Sequence, residues 1–259
     1  MNGVPRTALV VSAVALLCVG AASHGQVMAD GWPLPPGWSI ATAADAASLS
    51  RGTWVACGTG RLFDMPELAQ RYLGARIARG GGYAEAGWQI LGGAAWCERR
   101  VRVEAGWGRR LGAGLAWGRR GSGVEGGAFS SCQEATAVLW ASLADDLRLS
   151  IRSDPLILTP DGVPDRRWPW LRLCGRRGVA AWALVLDRRR DEAPTLRAAG
   201  QARCASGLAL GVLGEPGTGT LGLTTVWTRG PIVLMTSHLA HPALGLTHRW
   251  MLVLVGASR

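Results

Sequence analysis

Three of the four histidines lie close together near the C-terminus, at His238, His241 and His248. Imidazole is a common zinc ligand, so this cluster is the first place where the sequence could hold a metal ion. Its spacing, however, straddles a turn at Pro242 between two predicted strands, and no cysteine or carboxylate lies beside the histidines in sequence. We therefore predict that the three histidines are structural residues at the rim of a final hairpin and that the chain binds no metal.

The other residue types that could do chemistry form no catalytic pattern. The chain contains no lysine, which excludes a Schiff-base lysine and the lysine of a phosphate-binding loop. Glu215–Thr220 is rich in glycine but precedes no predicted helix, Asp145 and Asp146 are adjacent turn acids, and no serine lies in a Gly-x-Ser-x-Gly elbow. The sequence therefore predicts a protein that is not an enzyme and holds no cofactor.

The last third of the chain predicts strands rather than helices. Within residues 206–214, Leu208 and Leu210 alternate with small or apolar residues, and residues 219–230 repeat this period of two. Between them, Glu215–Gly219 combines proline and glycine in the manner of a tight turn. Strands of about ten residues that carry apolar or small residues on both faces favour a transmembrane barrel.

The composition divides the chain into three parts. Arg6 precedes the apolar run Ala8–Ala22, which is the layout of a secretory signal, so residues 1–29 are predicted to be a signal peptide. Residues 30–50 are predicted to be an extended N-terminal segment that plugs or caps the barrel. Residues 51–259 are predicted to form the barrel domain.

Strand-like runs recur along residues 51–259 and number roughly 10 to 14, within the range of outer-membrane barrels. In one run the polar residues Arg100, Arg102 and Glu104 alternate with Val101 and Val103. The sequence therefore predicts an all-β, antiparallel transmembrane β-barrel in which Arg100, Arg102 and Glu104 face the lumen. The alternative is a secreted or periplasmic β-sandwich that binds a partner, with a core in place of the lipid.

The net charge of +10 comes from arginine in scattered pairs, such as Arg99-Arg100 and Arg109-Arg110. No segment gathers these pairs into a stacking groove, so we predict no nucleic-acid partner. Guanidinium groups at strand ends suit contact with lipopolysaccharide phosphates. Tryptophans near the ends of the runs, among them Trp107, Trp140 and Trp250, predict an aromatic girdle.

The C-terminal segment resembles the closing strands of PorV-like outer-membrane barrels, which are related to the long-chain fatty-acid transporter group. Members of this family often end with a strand, a turn such as Ser-His-Pro, a Leu-Gly-x-Thr-His-Arg stretch and a last amphipathic strand. The matching residues here are Ser237, His241, Pro242, Leu244, Gly245, Thr247, His248 and Arg249.

The resemblance implies an outer-membrane protein of a Gram-negative-type bacterium. Such a protein would pass or bind hydrophobic small molecules, or serve an envelope or secretion complex. Its implied partners are the lipid bilayer, lipopolysaccharide phosphates and the barrel-assembly machinery.

The last strand makes the barrel prediction specific. Thr247–Val255 is predicted to pair with the first strand and so to leave no free edge. Alternation places Leu252 toward lipid and Val253 toward the lumen. Leu252→Arg is then expected to cost about 2 to 4 kcal/mol near the membrane midplane, and Val253→Arg is expected to cost less if the lumen is wet.

Overall fold

The structure is a computed structural model that describes residues 53–93, 96–124, 127, 129–144, 147–153, 156–158, 170–177, 179–187, 195–217 and 219–256. The predicted signal peptide and the predicted plug or cap lie outside the described residues. No helix in the described part of the chain is long and apolar enough to span a membrane. Besides a short 3-10 turn at Pro66–Leu68, the strands are β1 (Trp54–Arg61), β2 (Ala69–Arg79), β3 (Gly82–Gly92), β4 (Trp96–Trp107), β5 (Leu111–Val124), β6 (Phe129–Ala144), β7 (Leu147–Arg152), β8 (Leu156–Ile157), β9 (Trp170–Arg177), β10 (Ala180–Asp187), β11 (Thr195–Ala205), β12 (Leu208–Glu215), β13 (Thr220–Arg229), β14 (Ile232–His241) and β15 (Gly245–Val255).

These strands form one antiparallel sheet that closes on itself. β1 pairs with β2 on one side and with the last strand, β15, on the other, while β5 pairs with β6. The two-residue β8 continues β7 along the same neighbour, β6, so the closed barrel has fourteen strands around its circumference. The prediction of an antiparallel barrel of 10 to 14 strands is confirmed, as is the pairing of the last strand with the first. The alternative of a β-sandwich is wrong, because a sandwich consists of two separate packed sheets.

The two ends of the barrel differ in the length of their connections. At the end that holds Trp54 and Val255, the strands are joined by short turns such as Gly80-Gly81 and Ser206-Gly207. Gly80 and Gly81 both have positive φ, which a two-residue hairpin of type I′ requires. The connections at the other end are mostly longer, with the longest over residues 158–169. Transmembrane barrels of outer membranes have this asymmetry, with short periplasmic turns and longer extracellular loops.

The outer surface of the barrel is apolar. On β13, Leu221 is 68% exposed on the outer face, whereas Val226 is 1% exposed on the inner face. The same holds around the sheet, because Trp107, Leu111 and Leu115 are also exposed large side chains. A soluble protein rarely exposes so continuous an apolar surface, so this surface is suited to lipid.

One tryptophan assigned to the girdle lies inside instead. Trp140 is buried on the inner face of β6, and its indole Nε1 donates a hydrogen bond to the carbonyl oxygen of Gly108 at 3.3 Å. Its ring lies against Gly106 and Gly112, where a Cβ would collide with the indole. The girdle prediction was therefore wrong for Trp140. The absence of side chains at Gly106 and Gly112 leaves space for the indole ring on the inner face. Trp107 and Trp250 are exposed on the outer face.

Candidate functional site: the inner wall of the barrel

The inner wall carries the polar residues of β4. Arg100, Arg102 and Glu104 are buried on the inner face, whereas the intervening Val101 and Val103 are exposed on the outer face. The structure therefore places the three residues named from the sequence on one side of the sheet, facing the barrel interior. Their i, i+2 spacing along a strand is what brings them to the same face.

Arg102 and Glu104 form a short ion pair within β4. The Arg102 Nη2 atom donates to Glu104 Oε2 at 2.7 Å, and the Tyr83 hydroxyl donates to Glu104 Oε1 at 2.6 Å. Beside them, Arg76 Nη1 lies 3.1 Å from Glu85 Oε2. Charged hydrogen bonds of this length hold side chains in fixed positions along a wall.

A second group of ion pairs lies nearer the long-loop end. Arg120 contacts both carboxylate oxygens of Glu98, with Nε 3.0 Å from Oε1 and Nη2 3.0 Å from Oε2. The Glu98 side chain is 0% exposed. Arg100 Nη2 lies 3.8 Å from Glu134 Oε1. We call these paired residues the charged sector, which holds equal numbers of arginine and glutamate and runs over β2 to β6. Its members are Arg76, Glu85, Glu98, Arg100, Arg102, Glu104, Arg120 and Glu134.

Another part of the inner wall is apolar. Met235 of β14 lies directly opposite Met251 of β15, and Val233 lies opposite Val253. The wet lumen on which a smaller cost for Val253→Arg depends is not present around this residue, because Val253 is 2% exposed among apolar side chains. We call this cluster the apolar sector; its members are Trp54, Ala56, Tyr72, Ala209, Val226, Val233, Met235, Met251 and Val253.

The residues of the C-terminal motif divide between three environments. Ser237, Thr247 and Arg249 are buried on the inner face, whereas His248 points outward beside the exposed Trp250. The remaining members, His241, Pro242, Leu244 and Gly245, lie at or beside the turn that joins β14 to β15.

The histidines lie near the long-loop rim of the barrel. His238 Nδ1 and His248 Nδ1 are 2.7 Å apart, and His248 Nε2 lies 3.3 Å from Asp64 Oδ1. His241 Nδ1 instead accepts hydrogen bonds from the backbone N–H groups of Ala243 and Leu244. His241 therefore stabilises the turn and does not converge with the other two. In the described part of the chain, no three histidine, cysteine or acidic side chains come together as a metal site.

Most members of the charged sector were not predicted from the sequence. Glu98 belongs to the same alternating series as Arg100 and Arg102, so extending the period by one step would have found it. Its partner Arg120 directly precedes residues 121–127, a glycine-rich stretch that is typical of a break between strands. Only the register of β4 against β5, in which Glu98 faces Ser122 and Arg100 faces Arg120, brings the two side chains together.

A groove of about 790 Å³ indents the outer surface over β2 to β6. Small residues such as Ala84, Ala105 and Ala113 line it together with the larger Trp107 and Leu115. Because most of its lining is apolar and outward-facing, it belongs to the lipid-facing surface rather than to the lumen.

The sequence matches no protein-family model and no curated protein. The fold, in contrast, is similar to solved outer-membrane barrels. The CymD monoaromatic hydrocarbon channel has a TM-score of 0.58 at 9% identity, over 92% of this chain and 98% of that chain. The outer membrane protein Omp33 of Acinetobacter baumannii has a TM-score of 0.54 at 8% identity, over 80% of this chain and 98% of that chain. At these identities the similarity establishes the fold alone, which is a closed antiparallel barrel of the outer-membrane type.

Proposed function

We propose that this chain is a non-enzymatic outer-membrane channel that passes or binds small molecules. The observation that carries the proposal is the contrast between the two faces of one closed sheet. The outer face exposes Leu115, Leu221 and Trp107, whereas the inner face holds the charged sector. A barrel with an apolar exterior and a polar interior is the arrangement that a solute pathway across a membrane needs.

The apolar sector supports a role with hydrophobic or amphipathic molecules. It offers Met235 and Met251 side by side, and thioether side chains adapt to ligands of different shapes. This agrees with the relationship to PorV-like and fatty-acid-transporter barrels that the C-terminal motif implies, which stays a prediction. Service in an envelope or secretion complex is the second role that this relationship implies.

The proposed location requires export and assembly in the membrane. Residues 1–29 would direct export, and the barrel-assembly machinery would insert the folded strands. Lipopolysaccharide is the proposed lipid partner, because Arg61, Arg99 and Arg119 are exposed near the long-loop ends of β1, β4 and β5. Phosphate groups at that level of the membrane would pair with these guanidinium groups.

Reconstitution into liposomes tests the proposal. The purified chain should make liposomes permeable to small neutral sugars, measured as swelling above protein-free vesicles, with a rate that falls as the sugar grows. Carbonate extraction and heat-modifiable migration on a gel would establish in the same samples that the barrel is inserted and folded. An inserted, folded barrel that passes no solute would contradict the channel function.

A further inference from the structure

Two histidines face each other across the hairpin of β14 and β15, on the outer surface near the long-loop rim. His238 and His248 occupy directly opposite positions in the register of these strands. Their Nδ1 atoms are 2.7 Å apart, and their ring centroids are 5.0 Å apart. Both residues are partly exposed, so an ion from the aqueous phase can reach them. We call these two residues the histidine pair.

A carboxylate from another loop selects the tautomer of one ring. Asp64 Oδ1 lies 3.3 Å from His248 Nε2, and its negative charge favours the tautomer that carries the proton on Nε2. His248 Nδ1 then directs a lone pair at His238. Histidines that bind a metal almost always present their other ring N–H to a carboxylate, a backbone carbonyl or water, which fixes the ring and makes it a stronger ligand. His248 therefore has the surroundings of a metal ligand.

The loop that carries Asp64 is held over the hairpin by specific contacts. Phe63 and Asp64 have positive φ angles of 54° and 55°, which are uncommon for residues other than glycine. The Phe63 backbone N–H donates to Thr247 Oγ1 at 3.1 Å, and the Phe63 ring meets His241 edge-on. Unfavourable backbone angles persist where surrounding contacts fix them, and they are concentrated at functional sites. Here they keep the Asp64 carboxylate beside His248.

An indole ring limits the movement of the histidine pair. The Trp250 ring stacks on His248 with 6.0 Å between centroids and meets His238 edge-on at 6.3 Å. Packing against one indole keeps the two Nδ1 atoms directed at each other. On the far side of His248, Arg61 of β1 occupies the opposite position in the register. Its positive charge opposes a bound cation, and the Asp64 carboxylate compensates for it.

We propose that the histidine pair binds a divalent transition-metal ion through its two Nδ1 atoms, with Cu²⁺ bound most tightly. Imidazole nitrogen suits Cu²⁺, Ni²⁺ and Zn²⁺, and Cu²⁺ forms the most stable complexes of this series. Bonds of about 2.0 to 2.1 Å from each nitrogen to the ion require the two Nδ1 atoms to move apart only slightly. His238 then carries its proton on Nε2, and water completes the coordination of the ion.

This proposal departs from the prediction that the chain binds no metal. That prediction rested on the lack of a carboxylate beside the histidines in sequence, but closure of the barrel brings Asp64 to them from the loop after β1. His241 is not a ligand, because its Nδ1 atom is bound to the turn. The pair lies on the outer face, so its metal binding is independent of the channel function.

Titration of the detergent-purified, folded chain with Cu²⁺ tests the proposal by electron paramagnetic resonance. The chain is made without a histidine tag, and its thiols are alkylated beforehand so that cysteine does not bind the ion. Bound Cu²⁺ should show coupling to two imidazole nitrogens. Excess Mg²⁺ and Ca²⁺ should not displace it, because these ions prefer oxygen ligands.

Single variants assign the ligands. Loss of an outer partner of a ligand typically lowers metal affinity about tenfold or more, so Asp64→Asn should weaken Cu²⁺ by this amount while both nitrogens stay in the spectrum. His238→Ala and His248→Ala should each lower the affinity further and remove one nitrogen. His241→Ala is the matched control, since it removes a histidine of the same hairpin and should change neither the affinity nor the spectrum.

Thermal stability provides a second measurement on the same proteins. A metal that binds only the folded state stabilises it, so Cu²⁺ should raise the temperature at which the wild-type barrel loses its heat-modifiable migration. His238→Ala should show no such rise. A folded wild-type chain whose bound Cu²⁺ has no imidazole nitrogen would overturn the proposal, and so would a spectrum and affinity that survive His238→Ala unchanged.

Discussion

Gly60 and Arg249 face each other across the seam where the first strand meets the last. A Cβ at position 60 would lie 2.9 Å from Arg249 Cγ and 2.6 Å from the carbonyl oxygen of His248. The backbone of β15 cannot move aside without loosening the seam. The missing side chain at Gly60 thus allows Arg249 to lie along the wall and the barrel to close.

Gly60→Ala should therefore destabilise the folded barrel by about 1 to 3 kcal/mol, the usual cost of overpacking. Urea unfolding in lipid vesicles measures the change in free energy. The matched control is Gly200→Ala in β11, where a Cβ would have no heavy atom within 4 Å. Equal stabilities of the two variants would show that the seam is not packed in this way.

The ion pair between Glu98 and Arg120 should be sensitive to the loss of either partner. Arg120→Met leaves the fully buried Glu98 carboxylate without its two-pronged contact and should cost about 3 to 5 kcal/mol. Adding Glu98→Gln removes the negative charge that Arg120→Met leaves uncompensated, so the double variant should recover a large part of the lost stability. A double-mutant cycle measures this coupling, and purely additive effects would contradict the pairing.

Val253→Arg should be as damaging as Leu252→Arg, although for a different reason. Leu252 lies on the outer face of β15, so an arginine there would meet lipid, at a cost of about 2 to 4 kcal/mol. At Val253 the arginine would enter the packed apolar sector without a counter-ion. Refolding yield in lipid vesicles compares the two, and a well-tolerated Val253→Arg would indicate a solvated wall at this position.

Alternation with a period of two is what made the barrel predictable from the sequence. Leu208 and Leu210 already indicated a strand with a lipid-suited face, and the structure places both in β12. Strand ends were harder to predict, because glycine near a strand end indicates a turn even where the backbone continues to pair. Gly121 and Gly123 resemble a break but lie within β5, opposite Ser131 and Phe129.

Contacts between residues that are far apart in the sequence could not be predicted from the sequence alone. Nothing local indicates that Arg249 would meet Gln70, a residue 179 positions away. That contact exists because closure places β1 between β15 and β2. Likewise, the alternation that puts Val253 on the inner face does not say whether that face is wet, which depends on residues that arrive from neighbouring strands such as Val233 and Ala56.

The barrel depends on closure of β15 onto β1, and a disulfide across this seam would report whether the two strands are paired. Cys57 lies opposite Leu252 in the register of these strands. The test uses a chain in which alanine replaces the other described cysteines, Cys97, Cys132, Cys174 and Cys204. In this background, mild oxidation of Leu252→Cys should form a disulfide with Cys57. After trypsin digestion, mass spectrometry should then detect the peptide of residues 52–61 joined to the peptide of residues 250–259. Leu254→Cys, which faces Val55 instead, should give little of this product because its distance from Cys57 exceeds what a disulfide spans. Absence of the cross-link in folded Leu252→Cys, or equal yields from the two variants, would contradict a closed barrel in this register.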